Sequence, residues 1–349
     1  MTTARSKLVD LSVTRWYHCI SRCVRKAFLL SEGAGTGVAD RKGWIEWRLK
    51  ELVETFAISV GGYSIMDNHL HLLVRVDPQV AQAWSAEQVV TRWFTLFPPK
   101  GSDRKLLVGE PLEVLRSLRA EDAEWVSVIR ERLGTLGWFM KCLKEPLSRL
   151  INRAENCTGA FFEGRYKSIA ILDEEALLSA CAYIDLNPVA AGIAPAPEES
   201  LHTSVKARVE NVKQKGREAD LQAAQDGSVL GSQASCKLEE DLWLLPIEDR
   251  RRFDSQREGM IEGLSLGNYL ILVEFTGRLF RDGKASISAE LGDIFERLGS
   301  SVEVWQARMA KLKSGGGLGR FLATNRERLR EAAKKLGVHH LANLSGCAA

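Results

Sequence analysis

"AISVGGYSIMDNHLHLLVRV", residues Ala57 to Val76, contains two apolar runs separated by the letters Met-Asp-Asn. Asp and Asn between apolar runs favour a turn, so the stretch predicts two strands joined by a tight connection. Side chains alternate between the two faces of a strand, and His69 and His71 therefore share one face. Two imidazoles side by side can bind one ion, or they can be ordinary residues of a strand, and the stretch alone leaves both interpretations open.

The segments around this pair of strands alternate between strand and helix patterns. Thr14 to Leu30 begins with the alternation of a strand, Trp44 to Phe56 has the apolar spacing of a helix, and "FFEGRYKSIAIL" (Phe161 to Leu172) predicts a further strand. Asp173 to Gly192 opens with acidic residues that suit a helix N-terminus. This order predicts an α+β fold, with an antiparallel sheet of four or five strands, packed helices and an additional helical C-terminal domain.

Composition changes along the chain suggest three parts. Residues 1–200 are expected to form a catalytic-type domain, with an insertion at about 77–135. Residues 201–239 are polar and predict a linker or mobile region, and residues 240–349 predict a helical C-terminal domain that could bind DNA. Two patterns in that last part are weaker: Ser288 to Trp305 suggests a helix-turn-helix or a packing segment, and Ser314 to Gly319 suggests a hinge.

Charge and cysteine content exclude several classes of protein. The chain has 349 residues, a net charge of +3 and seven cysteines without a CxxC pair, which argues against a disulfide framework and a cysteine-rich zinc site. No apolar run is long enough to span a membrane and no signal peptide is evident, so we expect a cytoplasmic protein without a membrane partner. A basic run between Gln306 and Leu336 is either a phosphate-binding surface or a solvated helix face.

A second chemical pattern lies in "AYIDLNPVAAG", Ala182 to Gly192. If Asp173 to Asn187 is one helix, Tyr183 and Asn187 are four residues apart and share a face. A tyrosine nucleophile and an amide oxygen could then act at one ion. The alternative is that Tyr183 packs in the core and Asn187 ends the helix before Pro188.

Four motifs in a fixed order resemble the REP-associated tyrosine transposases, a branch of the HUH single-strand endonucleases. They are "YHCISR", "YSIMDNHLHLLV", "FFEGRYKSIAI" and "AYIDLNPVAAG", within Val13 to Pro195. The resemblance implies a ferredoxin-like or RRM-like catalytic domain with His69 and His71 as the HUH pair, Asn187 as third metal ligand and Tyr183 as nucleophile. It implies Mg²⁺ or Mn²⁺ as cofactor, with zinc left open by the ligands, and hairpin-forming single-stranded DNA as partner. A homodimer is expected if the tyrosine helix serves a partner subunit.

Other residues of the same motifs are candidates with less support. Arg165 and Lys167 alternate about Tyr166 and could hold the DNA backbone or be surface charges. Arg22 and Arg25 in the first strand region are weaker candidates for the same role. His18 is expected to be a hydrogen-bonded structural histidine, and Tyr166 is the rival of Tyr183, although relatives commonly carry phenylalanine there.

The expected function is therefore DNA cleavage and strand transfer through a 5′-phosphotyrosine, that is, DNA transposition. The alternatives are a DNA-binding or regulatory protein that keeps the fold without catalysis, and a metal-dependent hydrolase of small phosphoesters. Formation of a covalent protein–DNA adduct separates the first from the other two.

Overall fold

The described part of the chain combines a five-stranded sheet with packed helices, which confirms the α+β class. In this computed structural model the described residues are 9–31, 40–225, 238–239, 241–249, 258–282, 294–296, 300–314 and 321–337. The strands are β1 (Trp16–Arg22), β2 (Ile58–Ile65), β3 (His69–Val76), β4 (Lys167–Ile171), β5 (Glu248–Asp249), β6 (Ile261–Glu262) and β7 (Phe321–Leu322). The α-helices are α1 (Arg41–Thr55), α2 (Pro78–Ala83), α3 (Ala86–Leu96), α4 (Glu110–Glu121), α5 (Ala123–Leu133), α6 (Leu136–Ala154), α7 (Glu174–Asp185), α8 (Asn187–Ala190), α9 (Ser204–Gln214), α10 (Glu218–Gln225), α11 (Leu266–Asp282), α12 (Val302–Lys313) and α13 (Arg326–Leu336).

The large sheet is mixed, with strand order β2-β3-β1-β4-β7. β1 and β4 are antiparallel, with His18 opposite Ile169. β7 runs parallel to β4, with Phe321 opposite Ala170. The prediction of a purely antiparallel sheet is therefore wrong at this edge. A parallel neighbour needs a long connection, which the helices between β4 and β7 supply.

The connection between β2 and β3 is the tight turn that the sequence predicts. The backbone N–H of Met66 donates to the carbonyl of His69 over 2.8 Å and closes the turn. The carbonyl of Asn68 accepts from the N–H of Cys23, also over 2.8 Å, just beyond the end of β1. These bonds fix His69 as the first residue of β3.

One face of the sheet carries an apolar core covered by α7. Ile20, Leu73 and Ile169 enter this core from β1, β3 and β4, and Leu177 and Ile184 enter it from α7. α7 is almost completely buried, because its small and apolar residues leave little polar surface. Burial of this kind is the main favourable contribution to folding.

The predicted C-terminal domain is part of this same core. The described residues of 240–349 belong to one compact unit with β1, most of β2 and β3, and α7, where the sequence predicted a separate domain. Tyr269 of α11, Trp305 of α12 and Leu322 of β7 all pack in the core that contains α7. The sequence predicted the helices, but it did not predict that their apolar faces pack in the core that contains α7.

The predicted linker also contributes to that unit in its described part. Residues 204–214 and 218–225 are the helices α9 and α10. Arg208 of α9 is completely buried and ion-paired with Glu239, and it donates to the carbonyls of Gly61 and Leu245. A buried charge is tolerated because it is paired and hydrogen-bonded. The polar composition of this segment gave no indication of the buried ion pair.

A second compact unit comprises Glu32–Ser59 and Arg75–Gly164. It contains the predicted insertion, whose residues form α2 to α5. Within this unit α3 packs against α4 and α5, and α1 packs against α6. Aromatic rings contribute to both contacts, including Phe56 with Phe139 and Phe94 with Trp125.

Two weaker sequence patterns fall mainly outside the described residues. These are the helix-turn-helix pattern at 288–305, of which 294–296 and 300–305 are described, and the hinge at 314–319, of which only Ser314 is described. Among the helices that the structure describes, none is long and apolar enough to cross a membrane.

Candidate active site

Three histidines gather on the α7 side of the sheet. His18 lies two residues before Ile20 on β1, and His71 lies two residues before Leu73 on β3. Because side chains alternate between the two faces of a strand, both histidines lie on the face that carries the apolar core. The rings of His69 and His71 are 4.8 Å apart between centroids, and those of His18 and His71 are 5.0 Å apart. The side-by-side placement predicted for His69 and His71 is present, and β1 adds a third imidazole.

His18 and His71 are in direct contact. The distance from Nε2 of His18 to Nδ1 of His71 is 2.8 Å, and both side chains are buried. The sequence favoured a hydrogen-bonded structural role for His18 but did not identify its partner. A contact between side chains of two strands depends on which strands are neighbours in the sheet, and the sequence of β1 alone does not predict its neighbour.

His69 has a different neighbour. Its Nδ1 lies 2.6 Å from the side-chain oxygen of Asn68 in the turn. Because a carbonyl oxygen only accepts, Nδ1 of His69 carries the proton and Nε2 keeps its lone pair. Asn68 therefore selects the tautomer that leaves Nε2 able to bind a metal, a role common for the outer neighbours of metal-binding histidines. The sequence analysis assigned no role to Asn68.

The three imidazoles are neutral at physiological pH. Burial lowers the pKa of His18 to about 3, with a smaller effect of the Lys167 charge. Burial and the nearby Arg22 lower the pKa of His69 to about 4, and burial lowers the pKa of His71 well below its ordinary value. Neutral imidazoles offer lone pairs, which is the form that binds metal ions.

Tyr183 enters the site from α7. Its ring centroid lies 5.7 Å from that of His71 and 6.2 Å from that of His18, in both cases edge to face. Burial raises the pKa of Tyr183, while the Asn187 side chain and the Arg22 charge partly oppose this change. The phenol is therefore protonated at neutral pH, with hydrogen-bonding and positive groups that favour its ionised form.

Asn187 is brought to Tyr183 by a break in the helix. The predicted single helix to Asn187 is wrong at its end, because α7 stops at Asp185 and the short α8 begins at Asn187. Pro188 explains the break, since it has no N–H to donate to the carbonyl of Ile184 and its ring crowds that carbonyl. The Asn187 side chain is largely buried, and its Nδ2 lies 3.5 Å from the backbone carbonyl oxygen of Tyr183.

Two of the four predicted DNA-binding cations lie near this group. The charge of Arg22 lowers the pKa of His69, His71 and Tyr183, which places it close to all three. It also acts on Lys167, whose own charge affects His18. Arg25 and Arg165 do not affect the pKa of these histidines or of Tyr183. All four cations are exposed.

No protein-family model, curated protein or solved structure matches this chain.

The side chains of His69, His71 and Asn187 are the candidate donors for a metal ion. Within the described ranges, no group of three or more His, Cys, Asp or Glu side chains is arranged to hold one. His69, His71 and the amide of Asn187 form a different set, with two imidazole nitrogens and one oxygen. Neutral imidazoles and the Nδ1 contact of His69 suit a divalent ion. The donor types of these residues therefore suit the divalent ion that the sequence predicts.

Proposed function

We propose that this protein is a metal-dependent single-stranded DNA endonuclease and strand transferase of the REP-associated tyrosine transposase type. One observation carries the proposal: the ring centroid of Tyr183 lies 5.7 Å from that of His71, and Nδ2 of Asn187 lies 3.5 Å from the Tyr183 carbonyl. A nucleophile and candidate metal donors from distant segments thus lie in one cluster. A phosphodiesterase of this kind needs its nucleophile close to its metal donors.

The strand arrangement supports the ferredoxin-like fold that the resemblance implies. The first four strands of the large sheet have the order β2-β3-β1-β4. In the chain they follow the succession strand, helix, two strands, helices, strand, and β1 is antiparallel to β4. Both properties are typical of the split βαβ arrangement. β7 is an addition at the β4 edge.

Binding of the phosphate is assigned to positive groups of the site. Mg²⁺ or Mn²⁺ held by His69, His71 and Asn187 would neutralise charge on the scissile phosphate. Arg22 and Lys167 hold further anionic oxygens of the strand, since both carry their charge beside the histidines. Attraction to the phosphates orients the strand without reading its sequence.

The chemical step is an in-line displacement by the Tyr183 oxygen. The oxygen forms a bond to phosphorus while the bond from phosphorus to the 3′ oxygen breaks. The phenol proton is lost and the departing oxygen gains a proton, so the products are a 5′-phosphotyrosine and a free 3′-OH. A second 3′-OH reverses the step and joins strands without ATP, because the phosphotyrosine keeps the energy of the broken bond.

Detection of the covalent adduct tests this function. The protein is incubated with Mn²⁺ and a pool of 3′-labelled single strands, each with one hairpin and randomised flanks. The label must be at the 3′ end because the fragment that stays on Tyr183 carries the new 5′ phosphate. We expect a labelled protein band on a denaturing gel with wild type and none with Tyr183→Phe.

Tyr166→Phe is the matched control, since it removes a phenol oxygen from the rival tyrosine. It should keep the adduct. An adduct that survives Tyr183→Phe contradicts the assignment of the nucleophile. Binding of hairpin strands by folded wild type without any adduct supports the alternative, a non-catalytic DNA-binding protein with the same fold.

A further inference from the structure

The contact between His18 and His71 joins two buried imidazoles through one nitrogen from each. Nε2 of His18 and Nδ1 of His71 are 2.8 Å apart. A hydrogen bond between neutral rings needs a proton on one nitrogen and a lone pair on the other. There are thus two arrangements, which differ in the tautomer of His71.

The direction of this bond determines whether His71 can use Nε2 as a ligand. If His18 donates, Nδ1 of His71 accepts, so the His71 proton is on Nε2 and blocks ligation there. If His71 donates from Nδ1, its Nε2 keeps the lone pair. The second arrangement repeats the pattern of His69, whose Nδ1 faces the acceptor oxygen of Asn68. Both histidines then present Nε2 in the same form.

The other nitrogen of His18 indicates that the contact is not a simple structural hydrogen bond. Nδ1 of His18 is buried and has no hydrogen-bond partner among the described residues. Buried polar atoms are normally paired, so an exception needs an explanation. When His71 donates, the proton of His18 is on Nδ1 and has no acceptor among the described residues, a cost that an apolar side chain at this position would avoid.

We propose that His18 is a positioning residue that accepts the Nδ1 proton of His71 and thereby holds Nε2 of His71 ready for the metal ion. This inference rests on the metal site of the proposed function. In this role His18 contacts His71 through Nε2 and does not itself bind the ion. Together His18 and Asn68 select the ligating tautomers of the two histidines of β3.

The tautomer of His71 is the first measurement. Long-range ¹H–¹⁵N spectra of histidine-labelled protein distinguish a proton on Nδ1 from one on Nε2, and Mg²⁺ keeps the sample diamagnetic. In Mg²⁺-saturated wild type we expect His71 to carry its proton on Nδ1. A proton on Nε2 in that sample overturns the proposal, and this result needs no variant to fold.

Metal affinity is the second measurement, followed by the electron paramagnetic resonance of free Mn²⁺. We expect His18→Phe, which removes the acceptor, to raise the Kd for Mn²⁺ about 10- to 100-fold. His18→Gln places an amide oxygen near the lost Nε2 and should restore most of the affinity. Cys19→Ala is the matched control, since it changes the neighbouring residue on the opposite face of β1 and should leave the Kd unchanged.

Two results contradict this role for His18. One is a Kd for Mn²⁺ that is unchanged in folded His18→Phe, and the other is coupling of bound Mn²⁺ to three imidazoles in pulsed resonance spectra of wild type, which makes His18 a ligand. Neither measurement uses DNA. Failure of the proposed function, seen as a missing adduct, is therefore distinct from failure of this inference.

Discussion

At the scale of single residues, Arg22 is the cation that acts on most groups of the site. Its charge affects the pKa of His69, His71 and Tyr183, and it lies on the face of β1 that carries His18. Arg25 follows three residues later in a 3-10 turn and is exposed. Variants of Arg22 and Arg25 therefore distinguish an effect of the position of the cation from an effect of the net charge of the protein.

We expect Arg22→Gln to reduce the rate of adduct formation at least tenfold, because a cation near the phosphate and the phenol is lost. Arg25→Gln removes the same charge from the same segment and should change the rate less than threefold. Rates are measured at saturating and at limiting strand concentration. Equal losses in the two variants would show that Arg22 contributes only general attraction for DNA.

The buried histidines give the metal-free protein a defined pH dependence. Burial lowers the pKa of His18 to about 3, that of His69 to about 4 and that of His71 well below its ordinary value, whereas all three are about 6.5 when unfolded. Below pH 6.5 the unfolded chain therefore binds more protons than the folded chain. The stabilisation is complete above that pH and is lost as the pH falls, by up to about 1.4 kcal/mol per pH unit for each histidine.

Urea unfolding in EDTA at pH 7.5 and 5.5 checks this prediction. The free energy of unfolding should be smaller at pH 5.5, and His18→Gln should show a smaller decrease than wild type because one of the three groups is gone. The comparison between the two proteins cancels the contribution of shared carboxylates. A decrease of the same size in both would be inconsistent with a neutral, buried His18.

At the scale of elements, α7 is held at both ends by aspartates. Asp173 caps its N-terminus through the Ala176 N–H and also accepts from the N–H of Thr324. Asp185 at the other end accepts from the Tyr269 hydroxyl and the Val205 N–H. The helix that carries Tyr183 is thus fixed by α9, α11 and the segment after β7.

Trp305 of α12 provides a further support for α7 and a test of it. Its ring is buried in the shared core, and its indole N–H donates to the Thr276 hydroxyl over 2.9 Å. We expect Trp305→Ala to lower the free energy of unfolding by about 3 to 5 kcal/mol. Val304→Ala, at the exposed neighbouring position, should change it by less than about 0.5 kcal/mol. Denaturant unfolding followed by circular dichroism measures both, and similar small effects would mean that α12 is not part of this core.

The sequence predicted those elements whose signals are local. The turn before His69 and the helix start near Asp173 were both evident from residue types and spacing. β7 was not, because Phe321 and Leu322 form a strand too short to show alternation. The contact of His18 with His71 was also missed, since it depends on β1 and β3 being neighbours in the sheet.

At the scale of the whole molecule, the site is assembled within one chain. Tyr183 and His71 of the same chain lie with their rings 5.7 Å apart, and α7 packs in the core of its own unit. The resemblance left open whether the tyrosine serves its own chain or a partner. The geometry supports action in the same chain.

Mixing two inactive variants tests this prediction. Tyr183→Phe keeps the histidines, and His71→Ala keeps the nucleophile. We expect the mixture to form no adduct, because neither chain contains a complete site. Mixtures of each variant with wild type are the control and should keep activity in proportion to the wild-type chains. Recovery in the mixture of variants would demonstrate exchange of the tyrosine helix between subunits.

β4 acquires its second neighbour only after Phe321 and Leu322 have left the ribosome. Asp173 and Thr324, which bond beside this junction, are 151 residues apart in the chain. Contacts of such separation form late, because closing a long loop costs entropy before the pairing offsets it. Until then the edge of β4 is open, and an open edge pairs readily with other chains. The growing chain is therefore expected to need a chaperone during synthesis, and the helix that carries Tyr183 gains its contact with Thr324 only after that segment is made.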